Sequence, residues 1–112
     1  SLGEMYLKDR ANRPKAIVIG NDLMAIGFLD ACDAVGVRIP GDISVVSFDD
    51  IEFASLKRIN LTTVRQPVKA MCKAAAEMMI HTLAQTPDLI DRVILEPELI
   101  VRATTDRYNK DV

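Results

Sequence analysis

The stretch Ile43-Ser44-Val45-Val46-Ser47-Phe48-Asp49-Asp50 decides the fold. Its body is β-branched and largely apolar, which predicts a strand buried on both faces, as in a parallel sheet. It stops abruptly at two acids. In open α/β sheets ligands bind beyond the carboxyl ends of the strands. Asp49 and Asp50 therefore make a candidate site and not merely a polar strand end. Upstream, Ala16-Ile17-Val18-Ile19 is a shorter apolar run, followed by Gly20-Asn21-Asp22 and then a helical pattern. Two strands ending in Asn-Asp and Asp-Asp place their polar ends side by side at one edge of one sheet.

Between these strands, Asn21 and Asp22 supply an N-cap for a helix running from Leu23 to about Val35. Gly36 suits its C-terminal end, because it tolerates the left-handed conformation. Met24, Phe28, Ala31, Cys32 and Val35 form one apolar face at helical spacing, while Ile26 and Leu29 lie off that face. A helix apolar on two sides is normally buried twice. The second partner is either the same chain or another subunit, and so short a chain favours another subunit. After a turn at Val37 to Gly41 the central strand follows, and strand, helix and strand with short loops is a parallel βαβ unit.

Upstream, Leu2, Met5, Tyr6 and Leu7 read as the last turns of a helix, and Asp9 to Pro14 as a loop. Downstream, Ile51 to Asn60 holds one or two short helical turns, and Leu61 to Arg65 is a third strand. Gln66-Pro67 opens a long helix, with proline at its favoured first-turn position. Val68, Met71, Cys72, Ala75, Met79 and Leu83 form its apolar stripe, and Lys69, Lys73, Glu77 and His81 the opposite, solvated one. Thr86-Pro87-Asp88 is a turn. Arg92 to Leu95 and Leu99 to Ala103 read as two strands, separated by Glu96-Pro97-Glu98, and Asp106 to Val112 as a polar tail.

The chain has 112 residues, enough for one small domain with its own core, and 49% are apolar. Fourteen basic residues face sixteen acidic ones, which is not the footprint of a self-sufficient nucleic-acid binder. No apolar run approaches the length of a membrane span, and no signal-peptide pattern opens the chain. Cys32 and Cys72 both fall among apolar neighbours and read as buried free thiols, with a disulfide or a metal pair as the lesser alternative. Phosphate loops and dinucleotide glycine fingerprints are missing. The single histidine sits on a solvated face, so no Ser-His-acid set forms, and the ligands for a zinc site are lacking. Asp49, Asp50 and Glu52 have too little oxygen-ligand context for a hard-cation loop.

What remains is the set Asn21, Asp22, Asp49, Asp50 and Gln66. Amide side chains carry donors and acceptors, and ionised carboxylates accept only. Such a set suits a small ligand rich in hydroxyl or amine donors. A purely structural role competes: Asn21 and Asp22 cap a helix, and Asp50 caps the turn after it. Asp49 is less easily explained that way. On the residues alone both readings stand.

Four segments carry a resemblance. Ala16-Ile17-Val18-Ile19-Gly20-Asn21-Asp22-Leu23-Met24-Ala25-Ile26-Gly27 resembles the Asn-Asp-x-x-Ala-x-Gly segment of LacI/GalR-type bacterial transcriptional regulators. The run from Val37 to Asp50, then Leu61-Thr62-Thr63-Val64-Arg65-Gln66-Pro67, then Glu98 to Thr105, resemble that family's later signatures in the same order. Periplasmic sugar-binding proteins of ABC transporters share the fold and the first two signatures, and a fragment of one is the alternative reading. The Leu-Thr-Thr-Val-Arg-Gln-Pro segment favours the regulators.

The resemblance implies an α/β fold: a parallel three-layer αβα sheet of the periplasmic-binding-protein-like type, present as an incomplete effector domain. Residues 1–65 would belong to the C-terminal lobe, 66–95 would supply a helix and strand of the N-terminal lobe, and 96–112 would return to the C-terminal lobe and tail. The helix-turn-helix DNA reader is expected outside this sequence, so operator DNA would be bound only through that absent part. By the same resemblance Asn21, Asp49 and Gln66 line an effector cleft, with Phe48 beside it. The effector is a sugar or another small metabolite. Val68 stands where some sugar-binding members carry a stacking aromatic. Ile26, Leu29, Phe53 and Leu56 fall on the family's dimer interface, and a homodimer or higher oligomer is expected. The implied protein is a cytoplasmic repressor, not an enzyme, with no cofactor, metal or membrane partner.

Overall fold

The computed structural model describes residue 7 and residues 9–85 and 92–107. The chain divides into two compact units, one of Ser1–Arg65 with Leu99–Val112 and one of Gln66–Glu98. In chain order the elements are β1 (Ala16–Val18), α1 (Asp22–Ala34), β2 (Ser44–Asp49), a 3-10 turn (Glu52–Ser55), β3 (Thr62–Arg65), α2 (Val68–Leu83) and β4 (Glu98–Ile100). The sheet runs β1-β2-β3-β4. β1 pairs with β2 in parallel, Ile17 opposite Val45, and β2 pairs in parallel with β3, Ser47 opposite Thr63. The expected α/β fold with a parallel sheet is the one observed.

Both ends of α1 are fixed by local chemistry. The Asn21 side chain accepts from the Met24 amide at 2.9 Å, satisfying one of the orphan donors of the first turn. At the other end Gly36 takes a φ of +73°. The Val37 amide reaches back to the Cys32 carbonyl at 2.8 Å, and the Gly36 amide to the Asp33 carbonyl at 3.1 Å. This pair of bonds is the Schellman closure, and it needs the left-handed residue that glycine provides at least cost.

The core of the first unit contains Ala25 and Cys32 of α1, Val37, Ile43, Val45, Ala54 and Leu61. Ile43, Val45 and Leu61 are fully buried, each contributing about 1.5–3 kcal/mol. Burial alternates along β2: Val45 and Ser47 are buried, whereas Phe48 is 37% exposed. The expectation of burial on both faces is thus corrected. One face is packed, and the other has only partial cover among the described residues. The packed face of α1 is largely the expected one, with Cys32 buried and Phe28 and Val35 packed against the core, but it departs at Met24. Met24 is exposed, and the buried positions are Asp22, Ala25 and Cys32. At the start of the helix the buried positions are taken by an aspartate and an alanine, which carry little apolar signal, and that is why Met24 misdirects the reading.

The segment after β4 is stitched to the strands by threonines. The Thr104 hydroxyl donates to the Val45 carbonyl and accepts from the Thr62 amide, both at 2.8 Å. The Arg102 amide donates to the Thr62 hydroxyl at 2.9 Å.

In the second unit α2 forms as expected, with Pro67 at its N-cap position, yet none of its residues is buried. Cys72 is exposed, unlike Cys32, so the expectation of two buried thiols holds only for Cys32. The strand expected at Arg92 to Leu95 is irregular. A strand persists only where a neighbour satisfies its amides and carbonyls, and this segment has no ladder partner among the described residues. The expectations for Leu2, Met5, Tyr6 and Thr86-Pro87-Asp88, and for the tail beyond Arg107, lie outside the described residues.

Candidate functional site

The carboxyl ends of the parallel strands carry the polar residues. Asn21 follows β1, Phe48 and Asp49 end β2, and Arg65, opposite Asp49 in register, ends β3. The backbone here is unusual: Asp49 has a φ of +116° and Asp50 one of +57°. Two consecutive non-glycine residues at positive φ persist only where their surroundings over-determine them, and such strain gathers at functional sites.

Asp22 provides part of that determination. It is fully buried. One carboxylate oxygen accepts from the Ser47 hydroxyl of β2 and, at 2.6 Å, from the Thr63 hydroxyl of β3. The other accepts from the Ile51 amide at 2.9 Å. Asp22 thus fastens the start of α1 to two strands and to the loop beyond Asp50. A buried carboxylate is tolerable because charge-assisted hydrogen bonds replace its hydration.

Asp50 is the second polar centre. Its Oδ2 lies 2.7 Å from Arg65 Nε, and its Oδ1 lies 2.7 Å from Arg102 Nη2, with the carboxylate side chain only 6% exposed. Burial pushes this carboxyl up, but the paired Arg102 and Arg65 guanidiniums outweigh it and hold Asp50 below the ordinary carboxylate range.

Of the expected ligand residues, Asn21, Phe48 and Asp49 come to one sheet edge in the first unit, whereas Gln66 opens the second. The Asn21 carbonyl is used as the helix cap, while its amide nitrogen donates to nothing among the described residues. Asn21 and Asp49 are half-buried, and this edge carries one amide and one carboxylate side chain. Of the expected interface residues, Ile26 and Leu29 are half-buried on α1, while Phe53 is 58% and Leu56 51% exposed. Ile26 and Leu29 also line a depression of about 840 Å³, together with Ile39, Ile59 and Lys57. A smaller depression of about 240 Å³ has Arg10, Arg13, Lys15, Arg38 and Asp42 on its walls. Arg38 grips Asp42 there through Nε at 3.1 Å and Nη2 at 3.0 Å. No group of three or more potential metal ligands occurs among the described residues. None of their helices is long and apolar enough to cross a membrane.

The roles of Asp22 and of the Asp50–Arg65–Arg102 cluster are not evident from spacing. One signal was present: Ser47 and Thr63 interrupt apolar strands, and buried hydroxyls require a partner.

Comparison with known proteins decides the family. The periplasmic binding protein-like domain matches residues 2–105. The arabinose metabolism transcriptional repressor of Geobacillus stearothermophilus is 42% identical over 103 residues, covering 91% of this chain and 28% of that protein. The ribose operon repressor of Escherichia coli is 37% identical over 92 residues, 82% of this chain and 28% of that protein. The chain belongs to the LacI family. More narrowly, it is a fragment of the periplasmic-binding-protein-like effector domain of that family.

Solved LacI-type structures agree. A LacI family transcriptional regulator from Lactobacillus casei with bound sucrose superposes with a TM-score of 0.78 at 31% identity, covering 93% of this chain and 38% of that one. A periplasmic binding protein/LacI transcriptional regulator from Alkaliphilus metalliredigens, complexed with D-xylulofuranose, gives 0.79 at 32% identity, covering 90% and 38%. The LacI-type chain spans under a third of the length of these curated relatives, which are transcriptional regulators and not enzymes.

Proposed function

We propose that this chain is the ligand-sensing and dimerisation portion of a cytoplasmic LacI-type repressor, with a sugar as the effector. The observation that carries the reading is the placement of Asn21 after β1 and of Asp49 at the end of the neighbouring parallel strand β2, in a fold that holds sucrose in one relative and D-xylulofuranose in another. Asp49 accepts from sugar hydroxyls, Asn21 donates through its amide, Phe48 offers an apolar edge, and Gln66 contributes from the connection after Arg65. Ile26, Leu29, Phe53 and Leu56 form the contact with a second copy. Operator DNA is bound by a part of the protein outside this chain, because specificity requires side chains on base edges.

The switch requires the effector to favour one conformation. Its binding energy then biases the DNA-bound state only by the difference in affinity between the two conformations. The test is a thermal-shift panel of glucose, sucrose, arabinose and ribose on the complete protein. A binding sugar at 100 times its Kd stabilises by about 2.7 kcal/mol, a shift of several degrees. Flat responses to the whole panel at millimolar concentration would contradict the sugar reading. Light scattering over a dilution series tests the oligomer: a monomer at micromolar concentration would contradict it.

A further inference from the structure

Both connections between the two units converge on one carboxylate. Arg65 is the last residue before the chain enters the second unit, and Leu99 is the first after it returns. Arg65 Nε and Arg102 Nη2 both lie 2.7 Å from Asp50. Arg102 is itself tied down, donating through Nη1 to the Leu61 carbonyl at 2.8 Å and through its amide to the Thr62 hydroxyl. On the other side of Asp50, the Ile51 amide is held by Asp22. The chain at 49–51 is therefore clamped from two sides, and this is the segment with two consecutive positive φ values.

Stability alone does not account for this cluster. Removing charges from water is costly, and an apolar packing of similar volume is often as stable as a buried ion pair. What the cluster provides is position: Arg65 Nε donates a directional hydrogen bond to Oδ2, and Arg102, itself fixed on the Leu61 carbonyl, holds Oδ1 by charge. The neighbour of Asp50 is Asp49, whose strained backbone needs such support.

We propose that Asp50 is a positioning residue that grips Arg65 and Arg102, fixes Asp49 in its ligand-ready geometry, and ties that geometry to both connections between the units. The inference rests on the reading that Asp49 binds the effector, and it assigns Asp50 no contact with the ligand. Loss of the grip lowers the fraction of protein in the binding-competent arrangement, which slows association and leaves the bound complex largely intact once formed. Loss of a direct contact would instead speed dissociation.

The experiment uses the complete protein, its Asp50→Asn, Asp50→Glu and Asp49→Asn variants, and whichever of glucose, sucrose, arabinose or ribose binds the parent. Expected for Asp50→Asn are an association rate lower by about tenfold with little change in dissociation, and amide hydrogen exchange about tenfold faster at residues 49–51 and 65–66. Asp50→Glu, which keeps the charge, should recover most of both. A merely structural role would lower the urea midpoint of Asp50→Asn and leave its association rate unchanged, which would overturn the inference. If the parent binds sugar and Asp49→Asn weakens it, an unaltered Asp50→Asn overturns this inference alone. If the parent binds none of the sugars, the effector reading falls and this inference with it.

Discussion

The two long helices of this chain resemble each other in length and differ in what they bury. α1 has 13 residues, a side-chain cap at Asn21, and three fully packed positions, Asp22, Ala25 and Cys32. α2 has 16 residues, no side-chain cap, and no buried residue, although Val68, Met71, Met79, Ile80 and Leu83 are apolar and exposed. Apolar content is therefore not what decides burial here. α1 is held because it continues a strand and ends against the next one in the sheet, with a polar anchor at its start. α2 carries more large apolar side chains, but a helix acquires most of its stability from a surface to pack on.

The comparison breaks first at Asp22. Replacing it by alanine strands the Ser47 and Thr63 hydroxyls and the Ile51 amide, each at about 1–3 kcal/mol and not additively, so a loss of roughly 3–5 kcal/mol is expected. Urea unfolding of the 112-residue chain measures it, and a loss below about 1 kcal/mol would mean that Asp22 is not the anchor. Next, Ile43→Ala in the core should cost about 2–5 kcal/mol, whereas Leu83→Ala on α2 should stay within about 0.5 kcal/mol. Equal costs would show that α2 is packed as tightly as the sheet.

A smaller effect comes with pH. Asp50 has its carboxyl held below the ordinary range in the folded chain. Its contribution is therefore fully present above the unfolded aspartate value of about 3.9, and is lost as the pH falls through the lower folded value. Stability curves of the parent and of Asp50→Asn should run parallel above about pH 4 and converge below it. Curves that stay parallel down to pH 2 would remove the ion pairs from the account.

Much of the fold was legible because the chain states it locally. The alternation of apolar runs with capped helical patterns gave β1, α1, β2, β3 and α2, and Asn21 and Gly36 marked the two ends of α1. What escaped depended on partners distant in sequence. Arg92 to Leu95 has the composition of a strand, but a strand is a property of a pair. Met24 looked like core because large apolar residues dominate a helical wheel, while the packed face was led by Asp22, whose hydrogen bonds span 25 and 41 residues. The edge carrying Asn21 and Asp49 was readable from strand ends alone. The grip of Arg65 and Arg102 on Asp50 spans 15 residues in one case and closes through a segment beyond α2 in the other, so no local pattern announces it.

The central claim is that Asp49, at the carboxyl edge of β2, holds the effector. Calorimetric titration of the complete protein and its Asp49→Asn variant, with the sugar that stabilises the parent, tests it most directly. A charged group that loses its role in a buried hydrogen bond costs about 1.5–3 kcal/mol, so affinity should fall by roughly 10- to 150-fold. An Asp49→Asn protein that binds the sugar as tightly as its parent would contradict the account.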